Sequence, residues 1–222
     1  MAGTPAVRID HYEWPGGREA MLRLGPPGAP TVIAALPFFE EGNRTRAAMV
    51  DVLRRLAAHG IAGALPDLPG TGESLTDTAD ATLSAWRNAF AAACAHLGEP
   101  VHICAWRSGA LIDGEAPAAS RWYLAPQSGE ALIRELSRLR HLSGGTDIAG
   151  NAISEDLIAA LAPAEPITTG RLRVARLQGD AKPADCLLPG RPLWRGSEPD
   201  TDSALQQAVA DDIAAWIKSM LA

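Results

Sequence analysis

The sequence predicts one α/β domain with a mostly parallel sheet, an antiparallel N-terminal hairpin and helices on both faces. Its length of 222 residues suits a single domain spanning 1–222. Short apolar runs alternate with amphipathic helices along the chain, which is the pattern of an α/β protein. Several of those runs are apolar throughout, as expected for strands that helices cover on both faces.

Composition and charge exclude several classes of protein. Hydrophobic residues make up 47% of the chain and its net charge is -6, which predicts a globular core and disfavours nucleic acid as a partner. Cys94, Cys104 and Cys186 have no clustered spacing, so we predict no disulfide framework, no metal site and no cofactor. Residues 1–10 lack the apolar stretch of a signal peptide, and no run is long enough for a transmembrane segment. We therefore expect a cytoplasmic protein.

The N-terminal half is predicted to open with a hairpin and to continue with strand–helix units. Turn residues 15–17 separate the hairpin strands, and Asn43 and Gly60 are expected to bound the first helix as N-cap and terminator. The predicted strands are Val7–Tyr12, Ala20–Leu24, Thr31–Leu36 and Ile61–Leu65. The predicted helices run from about Arg44 to His59 and from about Ala79 to Leu97.

The C-terminal half repeats the same alternation but is predicted to be truncated near the last strands. The predicted strands are Val101–Ala105, Trp122–Ala125 and Leu172–Leu177, with a helix at Leu132–Leu142 and another after Leu205. Only about six residues separate Leu177 from Ala184, whereas a parallel crossover needs about a dozen. We therefore expect that a late helix is missing and that the sheet ends early or turns antiparallel.

Three loops are the places to look for a site. In a parallel sheet, ligands bind beyond the carboxyl ends of the strands, which selects the loops 37–43, 66–74 and 106–109. The loop from Asp67 to Ser74 resembles the D-x-x-G-x-G-x-S loop of the α/β-hydrolase fold. Its glycines permit a tight turn and its polar side chains can hold the backbone, so we interpret it as a structural crossover without chemistry.

The turn after the fifth predicted strand fits the place of a nucleophile elbow, G-x-S-x-G, which needs small residues two positions either side of its apex. Ser108 fails this test because Trp106 and Ala110 flank it, and a tryptophan would clash. Cys104 fails as well, since one of its two flanking positions is again Trp106.

Arg107 satisfies the steric rule, because Ala105 and Gly109 flank it and both are small. The sequence therefore predicts an α/β-hydrolase fold with arginine where serine, cysteine or aspartate normally stands. A guanidinium is always protonated and is not an ordinary nucleophile.

The remaining members of a Ser–Asp–His triad are not evident either. In that order of residues the histidine lies near the C-terminus, but the last histidine here is His141. Asp180 follows a late strand and could mark the acid position, although it has no base to orient. The five histidines are His11, His59, His96, His102 and His141, and we expect them to be structural or solvent-facing.

Several segments resemble the exosortase A system-associated hydrolases of type 2. Pro37–Arg46 is similar to the family's P-P-F-A-E-E-x-N-K-S-R, and Ala105–Ala110 to its G-L-R-L-G-A turn, which also lacks serine. Supporting matches lie at Leu65–Ser74, Ile148–Leu157 and Gly190–Trp194 followed by Glu198. The resemblance implies a bacterial protein of gene clusters for extracellular polysaccharide and protein sorting. The word hydrolase in that name is inferred from fold and says little about chemistry.

Two interpretations of Arg107 follow. In the structural one, Arg107 pairs with Glu40 or Glu41, because an enclosed charge needs a partner. In the functional one, Arg107 stands at a helix N-terminus and binds an anionic small molecule through its fork. The candidate ligand-binding set is then Arg107 with Ser108, Phe38, Phe39 and Asn43.

A third interpretation keeps an enzyme. Glu40 or Glu41 would activate water beside backbone donors at Phe38 and Phe39, giving a serine-free ester or thioester hydrolase. The favoured hypothesis is an atypical α/β-hydrolase-fold protein that serves an exosortase or exopolysaccharide pathway as a binding or accessory protein. A purely structural interaction partner of another protein of that pathway is the remaining alternative.

Overall fold

A mixed sheet of eight strands organises the protein, which is represented by a computed structural model. The structure describes residues 7–98, 100–143 and 153–221, and the side chains of all of these except 139–143 and 221. The predicted motif segment Ile148–Leu157 therefore lies partly outside the described residues. The strands are β1 Arg8–Trp14, β2 Gly17–Leu24, β3 Thr31–Ala35, β4 Ala62–Pro66, β5 Val101–Trp106, β6 Ser120–Leu124, β7 Leu172–Leu177 and β8 Cys186–Leu188.

The strand order is β1-β2-β4-β3-β5-β6-β7-β8, with β1–β2 and β2–β4 antiparallel and the other pairs parallel. This confirms the predicted parallel sheet with an antiparallel N-terminal hairpin. The helices are α1 Glu40–Ala58, α2 Leu83–Leu97, α3 Gly129–Ser143, α4 Glu155–Leu161 and α5 Ser203–Leu221. None of these described helices combines the length and the apolar character that a bilayer crossing requires.

Two cores, one on each face of the sheet, explain why the inner strands are apolar at every position. Successive residues of a strand point to opposite faces, so Ile33 packs with α2, whereas Val32 and Ala34 pack with α1 and α5. Both faces are covered by helices, and all five residues of β3 are buried.

Helix α1 begins four residues earlier than predicted, and the assignment of Asn43 as its N-cap is wrong. The N-cap is Phe39, whose φ of 57° and ψ of -137° turn the chain directly into the helix without a side-chain cap. Glu40 and Glu41 occupy the first turn, where carboxylates favour the helix dipole. Asn43 lies inside the helix, and its amide donates to Glu40 Oε1 at 3.5 Å.

Helix α2 begins at Leu83, later than the predicted Ala79. Thr82 caps it, because its Oγ1 accepts a hydrogen bond from the Ala85 backbone N–H at 3.1 Å. The preceding residues Thr78–Asp80 form a separate 3-10 turn.

The end of the sheet confirms the missing helix but not the antiparallel alternative, because β8 runs parallel to β7. The two strands overlap by three residues, with Cys186 opposite Ala175. After β7 ends at Leu177, the chain therefore runs back along the sheet by only two residue positions before β8 begins. The Arg176 side chain holds this connection: its Nε donates to the Pro183 carbonyl at 3.0 Å and its Nη1 to Asp180 at 3.0 Å. A short overlap thus replaces the helix that a full-length parallel crossover requires.

Candidate functional site at the carboxyl edge of the sheet

The loops that follow β3, β5 and β6 meet at the carboxyl edge of the sheet. Within the described ranges, three non-glycine residues have positive φ, and each lies in one of these loops: Phe39 at 57°, Arg107 at 53° and Ala125 at 47°. Such backbone conformations cost about 1–3 kcal/mol each, and they cluster at functional or formerly functional sites.

The turn after β5 has the shape of a nucleophile elbow with Arg107 at its apex. Gly109 approaches β3 so closely that an added Cβ would lie 2.4 Å from the Ala35 carbonyl oxygen and 2.6 Å from that of Leu36. On the other side of the apex, Ala105 is fully buried. Small residues are therefore required two positions either side of Arg107 because the turn lies directly against β3.

The element after this elbow differs from the expected one. Arg107–Leu111 is a short 3-10 helix and not the start of an α-helix, so Arg107 does stand at a helix N-terminus, but only a few aligned peptide dipoles support an anion there. The cause lies in the sequence: Gly114 and Pro117 interrupt any continuation, and β6 already begins at Ser120.

Arg107 is the centre of an ion-pair cluster. Its Nε and Nη2 each donate at 3.2 Å to an oxygen of Glu41, and Nη2 also donates at 2.8 Å to Glu135 Oε2. Arg107 is 8% exposed. Of the two glutamates expected as partners, Glu41 pairs with Arg107, whereas Glu40 lies near Arg44 at 3.9 Å.

Three residues of this cluster were not identified from the sequence. Glu135 lies on α3, Gln127 donates from Nε2 to Glu135 at 2.9 Å, and the Trp194 ring centroid lies 5.3 Å from the Arg107 Cζ. The sequence offered one signal for Gln127 and Glu135. Gln127 lies in the loop after β6 and Glu135 lies on the helix that follows it, and loops after parallel strands open at the same edge of the sheet. Trp194 is the last residue of Gly190–Trp194, a segment identified from the sequence only as a supporting match to the family.

The electrostatics of the cluster favour a proton rather than an anion. One guanidinium faces two carboxylates, so the local charge is negative. Burial raises the pKa of Glu41, although the hydrogen bond and the charge of Arg107 oppose the shift. The loss of hydration therefore disfavours the charged form of Glu41 more than the interaction with Arg107 stabilises it.

Ser108 is turned away from the apex and has an internal partner. Its Oγ accepts a hydrogen bond from the Phe38 backbone N–H at 2.9 Å, and the residue has no exposed surface. In the elbow of an active esterase, an N–H from the loop after β3 belongs to the oxyanion hole. Here the Phe38 N–H already donates to the Ser108 hydroxyl oxygen.

The described histidine contacts lie away from this cluster. The His59 imidazole contacts Asp211 at 2.9 Å, that of His96 contacts Asp10 at 3.2 Å, and that of His102 contacts Ser120 at 2.9 Å. Burial lowers the pKa of His102. Asp180, the candidate acid, pairs with Arg176 instead. The side chain of His141 lies outside the described part of the chain.

A cavity of about 390 Å³ lies beside the elbow, between the β3–α1 loop, the loop after β4 and helix α2. Phe38, Phe39 and Asn43 line it, whereas the described lining does not include Arg107 or Ser108. The predicted ligand-binding set is therefore split between a closed cluster and an open cavity.

Comparison with known proteins identifies the fold. No family model and no curated relative match this chain. Among solved structures it is similar to Est1E from Butyrivibrio proteoclasticus, in a structure with ferulic acid bound (TM-score 0.65, 15% identity, 96% of this chain and 99% of that one). It is also similar to a hypothetical protein from Pseudomonas aeruginosa (0.62, 12%, 99% and 95%) and to an α/β hydrolase from Sphaerobacter thermophilus (0.58, 16%, 94% and 100%). The chain therefore has the α/β-hydrolase fold.

The contact between Gly109 and β3 generates a stability prediction. We expect Gly109→Ala to lower the free energy of unfolding by about 1–3 kcal/mol, because the new methyl group meets backbone that cannot move aside. Gly114→Ala is the matched control, since its added Cβ meets nothing within 4 Å. Denaturant unfolding of both variants measures the difference, and equal midpoints would contradict the proposed contact.

The raised pKa of Glu41 generates a pH prediction. Because the native state holds the Glu41 proton to higher pH than the unfolded chain does, this group contributes stability at low pH that is lost as pH rises through the folded pKa. The difference in unfolding free energy between wild type and Glu41→Gln should therefore grow in favour of wild type as pH falls from 8 to 4. Glu40→Gln controls for the loss of one carboxylate from the same helical turn. A difference that shrinks on acidification would contradict the sign of the shift.

Proposed function

We propose that this α/β-hydrolase-fold protein is not a hydrolase but an accessory protein that binds an anionic small molecule. Arg107 at the apex of the elbow, paired to Glu41 and Glu135, is the observation that argues against a hydrolase, and the binding role rests on the open cavity beside it. Acyl transfer requires a nucleophile at this apex and free donors beside it.

Three features of the elbow argue against hydrolysis. The apex is permanently cationic and cannot attack a carbonyl. The Phe38 N–H, which would stabilise an oxyanion, already donates to Ser108. The Trp194 ring lies over the guanidinium and limits access to it. Together they support a pseudoenzyme, in which the elbow contributes to stability and not to turnover.

The ligand of this accessory protein would bind in the adjoining cavity. Arg107 already bonds two carboxylates, so an anion could reach it only by displacing Glu41 or Glu135. Phe38, Phe39 and Asn43 line an open cavity of about 390 Å³, within the usual range for small-molecule sites. Of the residues proposed for the ligand, these three are therefore the available ones.

The motif resemblance supports a role in exopolysaccharide or exosortase systems. The segments Pro37–Arg46 and Ala105–Ala110 carry it, and both border the site. The candidate protein partner is another protein encoded in an exosortase or exopolysaccharide gene cluster.

A water-activating hydrolase is the second candidate, and one observation favours it. The pKa of Glu41 is raised by burial, and a carboxylate with a raised pKa is a stronger general base. Against this, both of its oxygens accept hydrogen bonds from Arg107, whose charge opposes the rise in the pKa and so weakens Glu41 as a base.

A panel of activated aryl esters and acyl thioesters separates the two candidates. We expect the wild-type protein to hydrolyse none of them faster than bovine serum albumin at equal concentration, because it presents no nucleophile. Turnover that Glu41→Gln abolishes and Glu40→Gln preserves would overturn the proposal in favour of the second candidate.

The proposed pathway is tested by co-purification. From a host carrying an exosortase and exopolysaccharide gene cluster, we expect tagged protein to retain a product of that cluster after stringent washing. The control is the same purification from a host in which the cluster is deleted. Identical sets of retained proteins by mass spectrometry would contradict the proposed partner.

A further inference from the structure

We infer that the cavity beside the elbow binds the carboxylate of a compact aromatic molecule and that Arg46 is its anion anchor. This inference rests on the proposed binding function and names its ligand class. Within the anion-binding interpretation, it moves the anion site from Arg107 to Arg46 on α1.

Arg46 faces the cavity because of helical spacing. Phe39, Gly42, Asn43 and Arg46 all line the cavity, and intervals of three and four residues place them on one side of the first turns of α1. The early start of α1, enforced by the left-handed conformation of Phe39, brings this face to the cavity.

The Arg46 guanidinium is oriented but not saturated. Its Nη2 donates to Asp67 Oδ1 at 2.9 Å, and across the described residues this is its one protein hydrogen bond. Asp67 is held in turn, since its Oδ2 accepts from the Glu73 backbone N–H at 3.1 Å. The Arg46 side chain is 40% exposed, and its Nη1 hydrogens and second Nη2 hydrogen remain to hold a carboxylate. Arg107, by contrast, bonds three carboxylate oxygens at 10% side-chain exposure.

Part of the cavity wall is aromatic and rigid. The Phe38 and Trp86 ring centroids lie 4.6 Å apart, and those of Phe39 and Trp86 lie 6.0 Å apart. Trp86 is fixed because its Nε1 donates to the Pro69 carbonyl at 2.8 Å. Aromatic walls of this kind favour edge or offset stacking with a flat ligand.

Size and charge narrow the ligand further. A cavity of about 390 Å³ suits a molecule of one or two rings. Asp67 pairs with Arg46 and Asp77 lies exposed in the cavity lining, so these two carboxylates disfavour a dianionic phosphate more strongly than a monoanion. An aromatic monoanion satisfies both Arg46 and the aromatic wall.

Isothermal titration calorimetry with four probes tests the ligand class. We expect binding of 2-naphthoate, and at least about tenfold weaker binding of neutral 2-naphthamide, of octanoate and of inorganic phosphate. Equal affinity for naphthoate and naphthamide would overturn the anion anchor. Equal affinity for naphthoate and octanoate would overturn the aromatic class.

Variants test the anchor itself. Arg46→Gln should weaken naphthoate binding by about tenfold or more, because it removes the charge and the fork. Arg54→Gln, an exposed arginine on the same helix that does not line the cavity, should bind as wild type. If Arg46→Gln unsettles the Asp67 loop, Arg46→Lys keeps a cation beside Asp67 and should still bind several-fold more weakly.

Unchanged affinity in a folded Arg46 variant would overturn the inference. This outcome is distinguishable from failure of the proposed function, which is decided by turnover in the ester and thioester panel. A protein that hydrolyses esters and still binds naphthoate through Arg46 would sink the proposed function alone. A protein with no turnover that binds naphthoate as tightly in the Arg46→Gln variant as in wild type would sink this inference alone.

Discussion

The buried ion pair between Arg107 and Glu41 is the interaction on which the rest of the site depends. A guanidinium at the apex of an elbow is enclosed by the same contacts that hold the turn against β3. Breaking a buried pair by removing one partner costs about 3–5 kcal/mol, so a carboxylate must be within reach. Helix α1 supplies this carboxylate, because the helix starts at Glu40 and places Glu41 in its first turn. Glu135 and the Trp194 ring then complete the enclosure.

This arrangement divides one expected site into two parts with different physical character. The elbow cluster is closed and rich in carboxylates, and Arg107 bonds both Glu41 and Glu135 within it. The cavity beside it is open, has an aromatic wall and contains an arginine with free donors. The β3–α1 loop belongs to both parts, because Phe38 donates its N–H to Ser108 while its ring lines the cavity. A change at the elbow is therefore coupled to the shape of the cavity through that loop.

Much of the fold could be predicted from the sequence, because its signals are local. Apolar runs, turn residues and helix periodicity located all strands but β8, and the small residues Ala105 and Gly109 selected Arg107, which has a positive φ. The start of α1 could not be predicted, since no side chain caps it and the left-handed conformation of Phe39 has no residue signature. The direction of β8 was missed because the usual crossover rule assumes strands of full overlap. The contacts of Arg107 with Glu135 and Trp194 join residues far apart in the chain, and no spacing rule anticipates them.

The hydrogen bond from Phe38 to Ser108 has a consequence for any attempt to engineer catalysis into this elbow. Replacing Arg107 by serine would place a hydroxyl at the apex, but the Phe38 N–H would still donate to Ser108. Glu41 would lose its cation, and the Trp194 ring would still lie beside the apex. A designed nucleophile at this turn would therefore require coordinated changes at positions 41, 108 and 194 as well as at the apex itself.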